Sequence, residues 1–414
     1  MQVCEKYKSV SLFLLITIIL FTLIGCNTNS ISKETTLAQQ AELQEKYNTN
    51  LLPLMVKSNQ LITSDGEPFR LKGVNCAALE WSSDGEGHIV ETCRVAIEDW
   101  KVNVIRLPLS QDRWFGKAPE QTDEGKEYQD IVDQIVKMCA ENDVYCILDL
   151  HWNNKNEWGK WIAQHSMPDL NSKIFWEDIA PKYANHPAVI YDLYNEPHDV
   201  TWDEWLNGGM IMDKPNTPDG GQASEYECIG MQPLLDAVRA TGAKNLVVIG
   251  GLDWSYDFSG ILEGRQLKDP EGNGIIYANH CYDNKKQKVD TWIANMEIAS
   301  KEFPIIIGEF GGSYIDPANQ NTGGRGSRRG GFGFGGFGRS SVNGPDWLML
   351  VIQAIEDHQW SYTAWDLHPA AGPTLVSDWN YTPSQNFGIW VKQMLDGTWK
   401  KYTPSQEVSS QNNN

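Results

Sequence analysis

Short apolar runs rich in β-branched residues alternate with amphipathic helical patterns along most of this chain, from about residue 61 to residue 397. Eight of these runs have the length and composition of buried strands. They are predicted at residues 70–75, 103–108, 145–151, 189–195, 245–250, 275–280, 304–309 and 361–366. Helical periodicity is clearest at residues 89–100, 128–141, 225–240, 290–301 and 346–358.

Eight strand-helix units in one chain of 414 residues predict an α/β fold with a single (β/α)8 barrel, the TIM barrel. An open doubly wound sheet is the competing arrangement. Its dinucleotide-binding form would place Gly-x-Gly-x-x-Gly after the first strand, and the chain has no such motif there. We expect the barrel domain to span residues 53–402.

Two glutamates stand at the ends of predicted strands. Glu196 belongs to Asn195-Glu196-Pro197 after the fourth run, and Glu309 belongs to Gly308-Glu309-Phe310 after the seventh. Barrel active sites are built at the C-terminal ends of the strands, where a buried carboxylate is costly unless it has a task. Two carboxylates brought together at this end can cleave a glycosidic bond.

Most of the other predicted strands also end in side chains suited to gripping a sugar. These residues are Arg106, His151, Trp152, Asn195, Trp254, His280, Tyr282 and Trp365. For Trp254, packing in the core is a nearly equal alternative to lining a cleft. Further tryptophans are candidate platforms for sugar rings: Trp81, Trp114, Trp202, Trp205 and Trp379.

Taken in chain order, these motifs resemble glycoside hydrolase family 5, the cellulase family of retaining barrel glycosidases. The resemblance covers residues 61–397 and rests on the ordered set, since an Asn-Glu-Pro triplet alone is weak. The set comprises Gly73-Val74-Asn75, Arg106, His151, Asn195-Glu196-Pro197, His280-x-Tyr282, Gly308-Glu309 and Trp365. The chain departs from the family pattern at Cys76-Ala77-Ala78 and in the polar loop after the eighth strand, which leaves subsite preference open.

The resemblance implies a double-displacement mechanism. Glu309 would be the nucleophile, and Glu196 would act first as general acid and then as general base. Arg106 and Tyr282 would hold Glu309 ionised and oriented through charge and hydrogen bonds.

The remaining motif residues would contact the sugar. Asn195 would bind its 2-hydroxyl group, His151 and His280 would position sugar and carboxylates, and Trp365 would form the platform at the cleavage point. Trp152 and Trp254 are counted among the substrate-binding residues. No metal or organic cofactor is implied.

The expected substrate is a β-1,4-glucan polysaccharide or oligosaccharide, cellulose or mixed-linkage glucan, cut internally by a monomeric enzyme. β-Mannan and xyloglucan are alternatives within the same family. A non-catalytic glycan-binding lipoprotein is a remote alternative, and it would be expected to lack one of the two carboxylates.

The N-terminus resembles a bacterial lipoprotein signal. Two lysines precede an apolar run that closes in Leu23-Ile24-Gly25-Cys26, which is similar to a lipobox. We expect residues 1–25 to be the signal peptide, Cys26 to be lipidated, and residues 26–52 to form a polar tether. The protein would then be exported and anchored to a membrane of the cell envelope. An ordinary signal peptide or a membrane-anchor helix is the alternative.

Charge and composition narrow the partners further. The formal net charge of −20 argues against nucleic acid, because phosphate binding requires a basic surface. Residues 201–222 and 317–344 read as long loops. We expect residues 318–344 to form a flexible Gly/Arg/Phe-rich insertion and residues 403–414 to form a disordered tail. For the insertion, a mobile lid or contact arm beside the cleft is the alternative.

Eight cysteines are present, and six remain after Cys4 and Cys26 are set aside. Export permits disulfides, and the short spacing of Cys139 and Cys146 makes a bridge between them conceivable, although buried free thiols are common in barrels. No spacing typical of a zinc site occurs.

Overall fold

The computed structural model describes residues 41–213, 223–285, 287–312 and 346–401. The chain divides after Asn50, and residues 41–47 of the first part form a helix. The predicted signal peptide, Cys26, the glycine-rich insertion at 318–344 and the tail at 403–414 lie outside the described residues. Among the residues described, no helix combines the length and apolar character that a membrane crossing requires.

Eight parallel strands close into a barrel in chain order, with the sixth strand pairing with both the fifth and the seventh. The strands are Lys72–Asn75, Val104–Ser110, Tyr145–Trp152, Val189–Asp192, Val247–Gly250, Ile275–Tyr282, Ile305–Gly311 and Ser361–Ala364. The predicted (β/α)8 barrel is confirmed. An antiparallel hairpin of Leu54–Lys57 and Gln60–Thr63 precedes it.

Helices follow most of the strands on the outside. The longer ones are Ile89–Glu98, Lys126–Glu141, Leu170–Lys182, Met231–Ala240, Val289–Glu302, Trp347–Asp357 and Phe387–Asp396. Short helical segments lie at Gly85–Gly87, Gln111–Trp114, Trp202–Asn207, Leu252–Ser255 and Ser259–Leu262.

Alternation along each strand separates two apolar cores. Val104, Ile147, Ile190 and Ile306 belong to the cluster that fills the barrel, while neighbouring residues pack in the shell between the strands and the helices. Side chains of a strand point alternately to its two faces, so polar residues in phase with the inner set enter the barrel. This phase brings the site residues to one mouth.

Two predicted elements were wrong. The helix predicted at 225–240 begins only at Met231, because Ser224–Ile229 forms a strand that pairs antiparallel with Gly208–Asp213. The loop predicted at 201–222 therefore contains a strand and also a short helix, Trp202–Asn207. A capping box of Thr201 and Glu204 starts this helix.

All six cysteines in the described residues are buried free thiols: Cys76, Cys93, Cys139, Cys146, Cys228 and Cys281. The conceivable bridge between Cys139 and Cys146 is not formed.

Candidate active site

Arg106 is the centre of the charged network at the barrel mouth. It is buried on the second strand, and its guanidinium contacts three carboxylates. Nε lies 2.9 Å from Asp192 Oδ2, Nη2 lies 3.1 Å from Asp149 Oδ2, and Nη1 lies 3.0 Å from Glu309 Oε1. Burial raises the pKa of Asp149 to about 7, and the charge of Arg106 opposes this rise. The buried guanidinium of Arg106 is therefore shared by three carboxylates.

A β-bulge aims Glu309 into the barrel. In the seventh strand Ile307 pairs with Asn279 and Glu309 pairs with His280, so Gly308 is the extra residue. Regular alternation from the inward-facing Ile306 would turn Gly308 inward and Glu309 toward the helices. A methyl group on Gly308 would lie 2.8 Å from His280 Nε2, which explains why glycine occupies the bulge.

Both oxygens of Glu309 are held. Oε1 accepts from Arg106, and Oε2 accepts from the hydroxyl of Tyr282 at 2.7 Å. Burial raises the pKa of the Glu309 carboxyl, and the nearby Glu196 adds to this effect while Arg106 opposes it. Arg106 therefore opposes protonation of Glu309, but desolvation is the larger influence on this carboxyl.

Glu196 is held by two neutral side chains. His280 Nδ1 lies 2.8 Å from Glu196 Oε1, and Gln164 Nε2 donates to Glu196 Oε2 at 2.8 Å. Burial lowers the pKa of His280 to about 3, so this imidazole is uncharged at neutral pH. The same Nδ1 lies 3.7 Å from Glu309 Oε1, which places His280 between the two glutamates.

A second chain of hydrogen bonds fixes Asn195. Its Oδ1 accepts from Arg106 at 2.7 Å, and its Nδ2 donates to Gln164 Oε1 at 2.8 Å and lies 3.1 Å from His151 Nε2. His151 Nδ1 contacts Asp149 Oδ2 at 2.6 Å, and burial lowers the pKa of His151 to about 4. A neutral His151 that donates to Asp149 can accept from Asn195.

The predicted aromatic residues fall into different environments. Trp365 is buried and stacks on His151, with ring centroids 5.5 Å apart. Trp152 ends the third strand and is partly buried, while Trp254 follows the fifth strand and is exposed. Trp254 stacks on His198 at 4.4 Å. No hydrogen bond between described residues joins Trp152 or Trp254 to either glutamate.

Two of the candidate platforms were wrong. Trp114 and Trp205 are fully buried, and each indole N–H donates inside the protein, to Asp178 and to the carbonyl of Gly250 respectively. Their rings pack in the shell around the barrel and cannot present a face to a sugar.

Sequence reasoning did not select several residues of this network. Asp192 is an acid inside an otherwise apolar strand, and that contrast was a usable signal. Gln164 lies in the loop after the third strand, where no periodicity marks it. Glu80, a buried carboxyl after the first strand, was missed because Leu79-Glu80-Trp81 reads as an ordinary loop.

Glu196, His280 and Glu309 also form a set of potential metal ligands, with donor atoms that all lie within 4.8 Å of one another. Arg106 already supplies a positive charge at Glu309 Oε1. The arrangement therefore suits chemistry by the carboxylates themselves.

Comparison with known families decides the wider relationship. The model of the cellulase family, glycosyl hydrolase family 5, matches residues 62–371. The chain belongs to glycosyl hydrolase family 5. The matched region contains every predicted strand-end site residue, from Arg106 to Trp365.

Curated relatives of this family 5 chain include endoglucanases from several organisms. Endoglucanase C from Evansella cellulosilytica is 31% identical over 235 residues, which are 54% of this chain and 25% of that protein. Endoglucanase A from Butyrivibrio fibrisolvens is 24% identical over 259 residues, covering 62% of this chain and 52% of that protein. The chain spans about half or less of the length of these relatives.

Solved structures share the fold. A β-glucanase from Saccharophagus degradans in complex with cellotetraose has a TM-score of 0.61 at 22% identity, covering 85% of this chain and 95% of that chain. A β-mannanase from Streptomyces thermolilacinus has a TM-score of 0.55 at 19% identity, covering 84% and 98%.

Proposed function

We propose that this family 5 chain is a retaining glycoside hydrolase that cuts β-1,4-glucan internally. The distance between the two glutamates is the main support. An oxygen of Glu196 and an oxygen of Glu309 lie within 4.8 Å of each other. Retaining enzymes place their carboxyl groups about 5–5.5 Å apart, whereas inverting enzymes need about 6.5–9.5 Å for a water molecule.

The reaction would proceed in two displacements. Glu309 attacks the anomeric carbon while Glu196 gives a proton to the departing glycosidic oxygen, which leaves a glycosyl ester on Glu309. Glu196 then takes a proton from water, the water oxygen bonds to the anomeric carbon, and the ester bond to Glu309 breaks.

The neighbouring residues suit these roles. Arg106 donates a hydrogen bond to Oε1 of Glu309, and the Tyr282 hydroxyl donates one to Oε2, so both oxygens of the nucleophile are fixed. A neutral His280 can exchange a hydrogen bond with either protonation state of Glu196 without adding a competing charge.

Sugar binding would involve the residues around the nucleophile. Asn195 would face the 2-hydroxyl group, although both of its amide hydrogens already point to protein acceptors, so its Oδ1 is the atom with spare capacity. Trp365, fixed by His151, would lie beneath the sugar at the cleavage point.

We propose glucan rather than mannan as the substrate because most of the similar proteins compared above are named as glucanases. The two curated relatives compared above are endoglucanases, and the β-glucanase from Saccharophagus degradans is in complex with cellotetraose. The β-mannanase shares the same fold, so substrate choice has to be measured.

The first test is product analysis on carboxymethyl cellulose, mixed-linkage glucan, galactomannan and xyloglucan. We expect a rapid fall in viscosity on the two glucans. Glu309→Ala should reduce turnover by a factor on the order of 10⁴ or more. Glu98→Ala, which removes an exposed glutamate from helix Ile89–Glu98, is the matched control and should retain full activity.

Two other outcomes would change the proposal. Activity on galactomannan alone would replace the substrate and keep the mechanism. Activity that survives in Glu309→Ala would remove Glu309 as the nucleophile.

We further propose that the enzyme is an exported lipoprotein that acts as a monomer. The support for export and lipidation is Leu23-Ile24-Gly25-Cys26 after an apolar run. Metabolic labelling with a fatty acid should mark the wild type and fail to mark Cys26→Ala. Equal labelling of both chains would contradict the anchor.

A further inference from the structure

The segment after the fifth strand has an uncommon backbone. Asp253, Trp254 and Ser255 are consecutive non-glycine residues with φ of 54°, 58° and 56°. Residues with side chains rarely adopt this left-handed region, and a run of them persists only where surrounding contacts hold it. Such strained backbone is concentrated at functional sites.

The contacts that hold this turn lead to the backbone on either side of Glu196. The Ser255 hydroxyl is fully buried and donates to the carbonyl of Asn195 at 2.8 Å. The Trp254 N–H donates to the carbonyl of Pro197 at 3.1 Å. The turn therefore binds the residue before Glu196 and the residue after it.

His198 completes the set. Its Nδ1 lies 2.8 Å from the carbonyl oxygen of Glu196, and its ring stacks on Trp254 with centroids 4.4 Å apart and planes inclined by 11°. Three consecutive carbonyl groups, from Asn195 to Pro197, thus receive hydrogen bonds from this turn or from the side chain that stacks on it.

The barrel itself gives this stretch less support. The fourth strand ends at Asp192, and its last paired residues are Asp192 with Asp149 and with Val248. Beyond them, Leu193 and Asn195 still donate their N–H groups to neighbouring strands. The carbonyl groups of Asn195 and Pro197 instead accept hydrogen bonds from the left-handed turn.

Gly250, at the end of the fifth strand, leaves space for the hydrogen bond between Ser255 and Asn195. A methyl group added to Gly250 would lie 2.1 Å from Ser255 Oγ and 3.3 Å from the Asn195 carbonyl oxygen. Only glycine leaves room at this position for the serine hydroxyl to reach Asn195.

We infer that Ser255 and the left-handed turn Asp253–Ser255 are positioning elements that aim the carboxyl of Glu196 at the glycosidic oxygen. Ser255 touches neither substrate nor reacting atoms and acts through the backbone of Glu196. This inference rests on the proposed function, in which Glu196 is the general acid.

The test compares two aryl β-cellobiosides through kcat/KM, which reports the steps up to formation of the glycosyl-enzyme. A phenol leaving group needs the proton from Glu196, whereas a 2,4-dinitrophenol leaving group does not. A small displacement of a catalytic group can cost on the order of 10²-fold in rate. For Ser255→Ala we expect a loss of about 10-fold or more with the phenyl substrate and less than about twofold with the dinitrophenyl substrate.

A second variant separates positioning from folding. Ser255→Gly also removes the hydroxyl, but glycine adopts positive φ without strain, so it should fold readily and show the same split between substrates. Ser259→Ala is the matched control, because the exposed Ser259 hydroxyl donates to the nearby Asp257 and to no other described residue. This variant should match the wild type on both substrates.

The parallel variant Glu196→Gln distinguishes the two levels of inference. If the wild type is inactive, or if Glu196→Gln loses both substrates equally, the assignment of the general acid fails. If Glu196→Gln shows the split and both Ser255 variants do not, the positioning role is overturned. Equal losses on both substrates in the Ser255 variants would also overturn it.

Discussion

At the scale of single residues, Glu80 shows how burial changes the chemistry of one side chain. It is 1% exposed, and Oε2 accepts from the N–H of Ala78 at 2.8 Å. Its Oε1 has no hydrogen-bond partner among the described residues. Burial raises the pKa of Glu80 to about 8, and the negative charges of Asp149 and Glu309 add to the rise. Glu80 is therefore largely protonated at neutral pH.

This protonation makes the stability of the enzyme depend on pH. The pKa of Glu80 is about 8 in the folded chain against 4.5 for the free group, so the folded state binds more protons between these values. Its contribution to stability is complete below pH 4.5 and is lost as the pH rises through 8. One such proton changes the free energy of unfolding by up to about 1.4 kcal/mol per pH unit.

We predict that Glu80→Gln, which keeps the shape and does not titrate, weakens the fall in stability at alkaline pH. The Tm of the variant minus that of the wild type should be more positive at pH 8 than at pH 5. Thermal unfolding at both pH values measures this difference. A difference that does not change with pH would mean that Glu80 ionises normally in the folded protein.

At the scale of secondary-structure elements, the seventh strand depends on its bulge. The carbonyl of Gly308 accepts from Asn75 Nδ2 at 3.0 Å and from Thr363 Oγ1 at 2.6 Å, so the first and eighth strands both hold the extra residue. These contacts fix the direction of Glu309.

Gly308→Ala should therefore affect both stability and activity. The added methyl would meet His280 Nε2 at 2.8 Å, and His280 would have to move from its place between the glutamates. We expect a loss of about 1–3 kcal/mol in the free energy of unfolding, as for other overpacked cores, together with a lower kcat. Denaturant unfolding and kinetics on a soluble glucan measure the two effects. Wild-type kcat would show that His280 need not stay where it is.

Sequence predicted the elements whose residues follow a single hydrophobic pattern over their whole length. All eight strands were placed because parallel barrel strands are buried on both faces and read as continuous apolar runs. The strand Ser224–Ile229 was missed because its alternating residues run directly into helix Met231–Ala240, and a helical period covers both. Gln164 was unpredictable for another reason, since its role comes only from the position of its loop over Asn195 and Glu196.

At the scale of the whole molecule, the barrel domain is held together without a covalent bridge among the described residues. The six cysteines described are buried free thiols, and burial raises the pKa of the Cys281 and Cys93 thiols well above their usual value. Because the thiolate is the reactive form, these groups should be inert in the folded chain.

We predict that Ellman's reagent detects at least six more thiols after denaturation than before it. The measurement is a titration of the non-reduced protein in buffer and in guanidinium chloride. A reducing agent should also leave the Tm unchanged. A deficit of two thiols, together with a Tm that falls on reduction, would mean that a pair such as Cys139 and Cys146 is oxidised in the exported enzyme.

The inward-facing positions of the seventh strand, Ile306 and Glu309, are three residues apart in a structure whose natural step is two. Gly308 is the additional residue. Because of it, the alternation of inward and outward side chains shifts by one between Ile306, which packs in the barrel, and Glu309, which belongs to the site. A rule based on strict alternation, applied from Ile306, selects the glycine and passes over the glutamate. The same strand regularised to an even step would remain a good barrel strand and would turn its carboxylate away from the cleft.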